Sequence, residues 1–366
     1  MLKRRNTGRQ KAKEVINSLK KNKKEDKPKV EFLGSGCTTL NLALSGKSDG
    51  GWARGRIVNI VGDGSSGKTL LALELAFWCF SFIHKITSAI FGKTEKVKIV
   101  YNNSEGVMDF PLKLMYGKRF IEGVEWIRSG SIEEMGRDYS KRVINLKKGE
   151  FLLYIVDSWD ALDSSIGNKA FKESVQKNKE MKGSFNLEKQ KFTSKFFQFL
   201  CGEMDMDNNK VDSTLVIISQ VRSKIGVTFG KKTYRAGGKA LDFYTHQVAW
   251  IREVKKLRKT KFAEQKVYGI KSRAKIERSK VAKPFRESDF TILYDYGIDN
   301  MNSTLDYIYG NKVVNIDGQK FSDRKELIKY IERNNLEDNI IKRAEEKWNK
   351  VEDAFAEEVK NRKSRF

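Results

Sequence analysis

Four short apolar runs divide the middle of the chain into segments of helix length. They are "IVNIV" (57–61), "VKIVYN" (97–102), "FLLYIV" (151–156) and "TLVIIS" (214–219). Nearly continuous apolar runs of this length are typical of parallel strands that are buried on both faces. Because helix-length segments separate them, the pattern predicts an α/β fold with a mostly parallel central sheet.

The pattern changes after the fourth run. The segments "HQVAWIREVKKL" and "KVYGIKSRAKIERSKVAKPF" alternate apolar and polar positions, which predicts antiparallel strands that close the sheet. Near the end of the chain, apolar residues recur at spacings of three and four and predict one amphipathic helix. These residues are Ile340, Ala344, Trp348, Val351, Phe355 and Val359. We therefore expect a basic, partly helical N-terminal arm (1–33) for subunit contact, a core (34–300) and a small C-terminal helical domain (301–366).

The charge of the chain is strongly basic and unevenly distributed. Among 366 residues, 72 Lys and Arg stand against 47 Asp and Glu, a formal net charge of +25. Residues 1–30 hold 12 basic and 3 acidic side chains, and residues 221–290 hold 20 and 6. A concentrated positive charge of this size points to a polyanionic partner such as a nucleic acid.

Several classes of protein are not expected from the sequence. No apolar run reaches membrane-spanning length and the N-terminus lacks a secretion signal, so we expect a cytoplasmic protein of a bacterial cytoplasm or nucleoid, with no membrane partner. Cys37, Cys79 and Cys201 are far apart and predict reduced thiols rather than disulfides or a zinc site. With 2 His and no HExxH pattern, histidine-based metal or triad chemistry is not expected.

The stretch "NIVGDGSSGKTLLALEL" (59–75) fits the phosphate-binding pattern GxxxxGK[ST] between a predicted strand and a predicted helix. In such a loop, backbone N–H groups surround phosphate oxygens and the helix N-terminus adds partial positive charge. Lys68 would reach the β- and γ-phosphates, and the Thr69 hydroxyl would bind Mg²⁺. The stretch therefore predicts a site for ATP and Mg²⁺. Its residues are Gly62, Asp63, Gly64, Ser65, Ser66, Gly67, Lys68 and Thr69.

Polar residues at the ends of other predicted strands supply candidates for hydrolysis. Asp157 ends the strand "LLYIVD" and is expected to hold Mg²⁺, with capping of the next turn as the alternative. Glu105 follows "VKIVYN" and would orient or deprotonate the attacking water, although Asp109 is also near. Gln220 ends the fourth strand, where it would either sense the γ-phosphate or simply cap the strand.

Two polar, lysine-rich stretches, about 163–190 and 221–243, follow strand ends and are expected to be surface loops. Open α/β sheets bind their ligands at the carboxyl ends of their strands. Glycines and cations in these stretches suit contact with a nucleic-acid backbone without reading its bases. We therefore expect both to be DNA-binding loops.

Together these segments resemble the RecA family of homologous-recombination ATPases, over roughly residues 30–300. The segments that carry the resemblance are "GRIVNIVGDGSSGKTLLALEL", "LYIVDSWDAL", "ISQVRSKIGVTFG…AGGKALDFY" and "RAKIERSKVAKPFRESDFTILYDYGI". The resemblance implies a RecA-like P-loop core. The chain departs from the bacterial pattern in finishing "VKNRKSRF" instead of an acidic tail, and in carrying Lys239 and Asp242 where that pattern has an amide and a base. We interpret these departures as signs of a divergent, phage-type recombinase.

The resemblance also implies roles for particular residues. Glu105 matches the glutamate that activates water, and Gln220 the glutamine that links ATP to the second DNA-binding loop. Arg278 and Lys280 match a basic pair that reaches the ATP of a neighbouring subunit, and Tyr294 a tyrosine near the adenine, with Tyr116 as a candidate for the tyrosine that stacks on it. The implied DNA-binding residues are Arg222, Lys224, Lys231, Lys232, Arg235, Gly237, Gly238 and Lys239.

The function implied by the resemblance is that of a DNA-dependent ATPase that forms helical filaments on single-stranded DNA and exchanges strands with a homologous duplex. Single-strand-binding and mediator proteins are further expected partners. The alternatives are a hexameric helicase or translocase with the same core, which predicts closed rings, and a non-catalytic recombination mediator, which predicts ATP binding without DNA-stimulated hydrolysis.

Overall fold

The computed structural model describes residues 30–106, 108, 110–178, 186–204, 210–223, 233–235 and 238–360. Most of the expected N-terminal arm (1–33) therefore lies outside the described residues. The strands are β1 (Phe32–Leu33), β2 (Trp52–Ala53), β3 (Ile57–Gly62), β4 (Thr87–Ser88), β5 (Gly92–Lys93), β6 (Lys96–Asn103), β7 (Val124–Ile127), β8 (Glu150–Asp157), β9 (Ser213–Ser223), β10 (Thr233–Arg235), β11 (Gln247–Lys261), β12 (Glu264–Ser279), β13 (Glu287–Leu293), β14 (Gly297–Asp299), β15 (Val314–Ile316) and β16 (Gln319–Phe321).

The helices connect and cover these strands. They are α1 (Thr38–Ser45), α2 (Lys68–Phe82), α3 (Leu112–Tyr116), α4 (Lys118–Gly123), α5 (Ile132–Ile144), α6 (Ser165–Lys177), α7 (Asn186–Met204), α8 (Gly238–Tyr244), α9 (Asn300–Tyr309), α10 (Arg324–Arg333) and α11 (Glu337–Lys360), with short 3₁₀ turns at Ile83–Lys85 and Trp159–Ala161.

The central sheet has the order β14-β13-β12-β11-β3-β9-β8-β6-β7, with β10 paired to β9. All neighbours from β11 to β7 are parallel, and β12, β13 and β14 follow as antiparallel strands. This confirms the predicted α/β fold. Two details differ from the prediction, because β7 adds a further parallel strand and β11 is parallel to β3 while antiparallel to β12.

The parallel strands are buried on both faces, as their apolar runs predict. In β3, Val58 and Ile60 pack into one core, which contains α2, whereas Ile57 packs into the other, which contains α5 and α7. Successive side chains of a strand point to opposite faces, so a continuous apolar run supplies both cores at once. The sheet is thereby fixed between two helical layers, and the carboxyl ends of its parallel strands form one edge.

The stretch expected to be a loop at about 163–190 is helical over Ser165–Lys177, and the next helix begins at Asn186. The Ser164 side chain caps α6 by accepting a hydrogen bond from the Gly167 backbone N–H. The polar composition of this stretch did not predict a helix. Its apolar residues Ile166, Phe171 and Val175 are exposed, so they form no buried face that an amphipathic pattern would indicate. The stretch at 221–243 likewise begins within β9, contains β10 and ends in α8.

The C-terminal segment has a hydrophobic cluster of its own, formed by α9, α10, α11 and the β15–β16 hairpin. The predicted amphipathic helix is α11. Ile340 and Ala344 of its apolar stripe are buried, whereas Val351, Phe355 and Val359 are exposed. In the part of the chain that the structure describes, no helix combines the length and apolar character needed to span a bilayer.

Candidate active site

The phosphate-binding pattern forms the turn between β3 and α2. Gly67 has φ 99° and precedes the first residue of α2, so a side chain here would be strained and would also meet Ile292. A Cβ on Gly62 would meet the Ile251 carbonyl and lie 2.7 Å from Ser66 Oγ. The turn is tied down at Ser66, whose hydroxyl donates to the Asp63 carbonyl over 2.9 Å. The backbone therefore curls closely around the position that a phosphate group would take.

Lys68 is the first residue of α2, and its Nζ donates to the Asp63 carbonyl over 2.6 Å. Burial lowers the pKa of Lys68, and the nearby carboxylates of Asp157 and Glu105 counteract that shift. The ammonium group thus points back over its own loop, beside a helix N-terminus. This arrangement suits binding of a polyphosphate.

Thr69 and Asp157 meet at the end of β8. Thr69 Oγ1 donates to Asp157 Oδ2 over 2.9 Å, and the Tyr101 hydroxyl donates to the same oxygen over 2.7 Å. Burial raises the pKa of Asp157, although these two hydrogen bonds oppose the shift. A hydroxyl and a carboxylate oxygen are the hard ligands that Mg²⁺ takes, so this pair fits the predicted metal site.

Glu105 lies next to this pair and is held by two neighbouring strands. Its Oε1 accepts from Ser158 Oγ over 2.6 Å and from Gln220 Nε2 over 3.0 Å. The backbone N–H of Gln220 donates to Asp160 Oδ2 over 2.6 Å, and the guanidinium of Arg222 lies 3.8 Å from the other oxygen of Asp160. The predicted pair Glu105 and Gln220 is therefore in direct contact. Asp109, the alternative to Glu105, lies outside the described residues.

A cavity of about 560 Å³ opens beside the phosphate-binding turn. Besides Ser65 to Leu70 it is lined by Phe110, Pro111, Met115, Ile270, Ile292, Leu293, Tyr294 and Asp295. Tyr294, which is 52% exposed, therefore lies beside the turn of its own chain. The apolar walls and the exposed aromatic rings suit a nucleotide base.

Tyr116 does not enter this cavity, contrary to the expectation for an adenine-stacking tyrosine. It is 8% exposed, its hydroxyl donates to Glu74 Oε1 over 3.1 Å, and its ring packs against Phe77 and Phe120. The physical reason is the buried carboxyl group of Glu74, which requires a donor and holds the tyrosine in the core. Phe110, which precedes it in the chain, is the aromatic residue of this segment that faces the cavity.

Arg278 and Lys280 stand at the end of β12 and contact α8. Arg278 donates to the Asp242 carbonyl, and Lys280 Nζ donates to the Phe243 carbonyl over 2.8 Å. Cations at the carboxyl end of a helix complement its dipole. Neither residue lines the cavity beside the phosphate-binding turn of its own chain.

The candidate DNA-binding residues separate into distinct groups. Arg222 is exposed at the end of β9, whereas Arg235 is 6% exposed, donates to Asn59 and pairs with Asp242. The structure thus turns Arg235 inwards and does not place it to contact a DNA phosphate, because the side-chain oxygen Oδ1 of Asn59 and the Asp242 carboxylate attract its guanidinium. Gly238 and Lys239 begin α8. The remaining candidates, Lys224, Lys231, Lys232 and Gly237, lie outside the described residues.

Three polar residues that complete the site were not predicted from the sequence. Ser158 and Asp160 follow Asp157 within three residues; the Ser158 hydroxyl donates to Glu105, and Asp160 accepts from the Gln220 backbone N–H of β9. Tyr101 lies within the apolar run of β6 and reads there as a core residue. The polar residues of "DSWD" (157–160), at the end of the predicted strand, are the sequence feature from which Ser158 and Asp160 could have been predicted.

This fold and this turn define a class, an α/β protein with a P-loop nucleotide site at the carboxyl edge of a mostly parallel sheet. The family model for the RecA N-terminal domain matches residues 5–81 and 153–299. The chain is 31% identical to Protein RecA of Fusobacterium nucleatum subsp. nucleatum, over 82% of this chain and 69% of that protein. It is 29% identical to Protein RecA of Rippkaea orientalis, over 87% of this chain and 83% of that protein. The chain belongs to the RecA family, as a divergent member.

Proposed function

We propose that this protein is a DNA-dependent ATPase that assembles into helical filaments on single-stranded DNA and promotes pairing and strand exchange with a homologous duplex. The observation that carries the proposal is the hydrogen bond from Gln220 to Glu105, because Gln220 belongs to β9, whose last residues enter the stretch 221–243 that is expected to bind DNA. Membership of the RecA family supports it independently. That hydrogen bond joins a residue suited to hydrolysis to the strand that leads into the segment with the strongest predicted DNA contacts.

The residues of the site suggest how hydrolysis would proceed. Mg²⁺, bound to the triphosphate, would neutralise charge on the phosphate oxygens. Thr69 and Asp157 would hold that ion, and Lys68 would neutralise the triphosphate from the side of the turn. Glu105 would accept a proton from the attacking water, with Ser158 fixing the orientation of its carboxylate.

The same hydrogen bonds would couple hydrolysis to DNA. Movement of Gln220 towards a γ-phosphate would break its bond to Glu105, free that carboxylate for water and pull on Arg222, two residues along β9. DNA bound to the segment 221–243 would favour the same movement. By this coupling each ligand strengthens the effect of the other, as thermodynamic linkage requires.

Assembly would follow from the position of the basic pair. Arg278 and Lys280 are placed outside their own cavity, so we propose that they contact the triphosphate of the neighbouring subunit. Such a head-to-tail contact is heterologous and propagates into a helix or a ring. In this proposal the arm (1–33) contacts the next subunit, and 301–366 forms a separate C-terminal domain beside the core (34–300).

The test is ATP hydrolysis by the full-length protein with and without single-stranded DNA, together with electron microscopy of the same samples. Strong stimulation and extended filaments are expected. Closed rings would instead favour a helicase, and ATP binding without stimulated turnover an accessory mediator. A phage origin stays a prediction.

A further inference from the structure

The hairpin of β11 and β12 extends beyond the sheet that contains it. The last residue of β11 that pairs with β3 is Ile251, and the first residue of β12 that pairs with β13 is Gly269. Between them, residues 258–267 pair only with one another, and the carbonyl of Tyr268 accepts a hydrogen bond from the Tyr294 backbone N–H at the base of this projection. We call residues 258–267 the basic ribbon. Because β11 runs parallel to β3, the ribbon projects from the edge of the sheet that also carries the phosphate-binding turn.

The charges of the basic ribbon oppose its own folding. Lys259 stands directly opposite Lys266 in the ladder, and like charges in this position are destabilising. The amino group of Lys325, at the start of α10, lies against that of Lys259 and lowers the pKa of Lys259. Within the described residues, no carboxylate comes within ion-pairing distance of Lys259. Glu264 offsets part of this charge, because it stands opposite Lys261 in the ladder and lies 3.8 Å from Lys266, but among the described residues of the ribbon the cations outnumber it. This excess of positive charge points to an anionic partner.

The tip of the basic ribbon is unusual in a second, independent way. The two residues of its turn, Phe262 and Ala263, have φ of 50° and 62°. Two-residue hairpin turns with positive φ favour Asn-Gly, and a bulky residue there is strained. The Phe262 ring is 100% exposed. A strained turn that presents a bare aromatic ring contributes nothing to the core, and strain of this kind is concentrated at sites of ligand contact.

A groove of about 550 Å³ runs from this tip to α10. Its walls carry Lys259, Lys261, Phe262, Glu264, Lys266, Tyr268 and Lys325. The groove thus combines amino groups, which bind phosphate, with aromatic rings, which stack on bases. That combination is typical of nucleic-acid contacts, because every nucleotide supplies both a phosphate and a flat base, whereas the Asp and Glu side chains of an acidic peptide supply charge without an aromatic face.

We propose that the basic ribbon and Lys325 form a binding surface for duplex DNA, with Phe262 inserted between base pairs as a wedge. Single strands are usually held in a concave channel, whereas a convex projection can enter a groove of a duplex. Apolar wedges flanked by cations unstack a base step and kink the duplex. The inference rests on the proposed function, in which an incoming duplex must be held and loosened while the segment 221–243 holds the single strand.

The first experiment removes the charge from the basic ribbon in the full-length protein. The triple variant K259Q/K261Q/K266Q is compared with the matched triple K141Q/K147Q/K148Q, whose exposed lysines lie near the start of β8, at the opposite edge of the sheet. Binding of a fluorescently labelled duplex is followed across a salt titration. Log K falls as log salt rises, and each lost phosphate contact should reduce the steepness of that line by about 0.9.

The outcomes separate this inference from the proposed function. The expected result is a less steep salt dependence of duplex binding in the ribbon variant alone. Hydrolysis stimulated by single-stranded DNA should be retained in that variant. Equal slopes in the two variants, with that hydrolysis present, would overturn the inference and leave the proposed function intact. Loss of self-assembly without DNA in the ribbon variant would also overturn it, since the ribbon would then be a subunit interface. Absence of stimulated hydrolysis in the unmodified protein would count against the proposed function itself.

The second experiment tests the wedge. A duplex that contains 2-aminopurine becomes brighter when the labelled base unstacks. The unmodified protein and Phe262→Trp should both raise this fluorescence, whereas Phe262→Ala should not. Because the ring is fully exposed, melting temperatures should be the same for all three. A full rise with Phe262→Ala would show that Phe262 is not a wedge.

Discussion

Charged groups are arranged in opposite ways in two regions of the molecule. One is the basic ribbon, and the other is the carboxyl end of the parallel strands with its phosphate-binding turn, which we call the nucleotide edge. At the nucleotide edge, Asp157 and Glu105 are each held by two hydrogen bonds from neighbouring side chains. In the ribbon, Lys259 and Lys266 face each other, and Glu264 lies 3.8 Å from Lys266 but forms no ion pair with Lys259. The first arrangement preorganises chemistry inside the protein, and the second leaves charge unsatisfied until a partner supplies it. The comparison shows which charged groups find their partners within the protein and which require a bound partner.

The broadest effect is expected from breaking the nucleotide edge at Lys68, because nucleotide-dependent assembly should be lost and turnover should fall. Lys68→Ala removes the ammonium group that lies over the phosphate-binding turn, so we expect loss of nucleotide-dependent assembly and a fall in kcat of about 10²–10³-fold, the usual cost of one electrostatic contact to a developing charge. Hydrolysis assays and electron microscopy measure both. Duplex binding by the ribbon should persist in the absence of ATP, and its parallel loss would mean that the two regions are not independent.

Glu105→Gln tests the hydrolytic group without removing its shape. The amide cannot accept a proton from water, so turnover should fall by about 10²–10⁴-fold while ATP still binds. Filaments should then remain on DNA instead of disassembling, which electron microscopy after ATP addition would show. The matched control is Glu95→Gln, a carboxylate near the start of β6, at the opposite edge of the sheet. Equal ATPase activity in Glu105→Gln and the unmodified protein would remove Glu105 from the mechanism.

Glu74→Gln tests how far the nucleotide edge depends on buried polar groups. Burial raises the pKa of Glu74 from 4.5 to about 7. The folded chain therefore keeps this proton where the unfolded chain has lost it, and the free energy of unfolding falls as the pH rises from 4.5 to about 7. Glutamine does not titrate, so the free energy of unfolding of the Gln variant should not fall over this pH range. The variant should therefore be more stable than the unmodified protein at about pH 8, by about 1–3 kcal/mol.

Denaturant unfolding at two pH values checks the Glu74 prediction. The two proteins should have similar stability well below pH 4.5, where the carboxyl group is protonated in both the folded and the unfolded states. Tyr116→Phe is the matched control, because it removes the hydrogen bond to Glu74 but keeps the titrating group. It should lower stability and retain the pH dependence. A Gln variant with the same pH dependence as the unmodified protein would contradict the assignment.

The sequence predicted those parts of the molecule that depend on local pattern. The apolar runs gave the parallel strands, and the P-loop pattern, Asp157, Glu105 and Gln220 stood at strand ends that the fold brings to one edge. The prediction for Tyr116 failed because a buried carboxyl group elsewhere in the chain, Glu74, captures its hydroxyl. The inward turn of Arg235 likewise depends on a distant partner, 176 residues away in the chain. Side-chain partners of this kind leave no local signal.

The smallest expected effect separates Arg222 from Arg235, two arginines that the sequence treats alike. Arg222→Gln removes an exposed cation at the end of β9, so the slope of log K against log salt for single-stranded DNA should fall by about 0.7 while stability is unchanged. Arg235→Gln should do the reverse, because it leaves the side-chain oxygen Oδ1 of Asn59 buried without its donor and should cost about 1–3 kcal/mol of stability without altering the slope. A slope that falls equally in both variants would mean that Arg235 leaves its buried partners when DNA binds. The distinction between satisfied and unsatisfied charge would then hold only for the free protein.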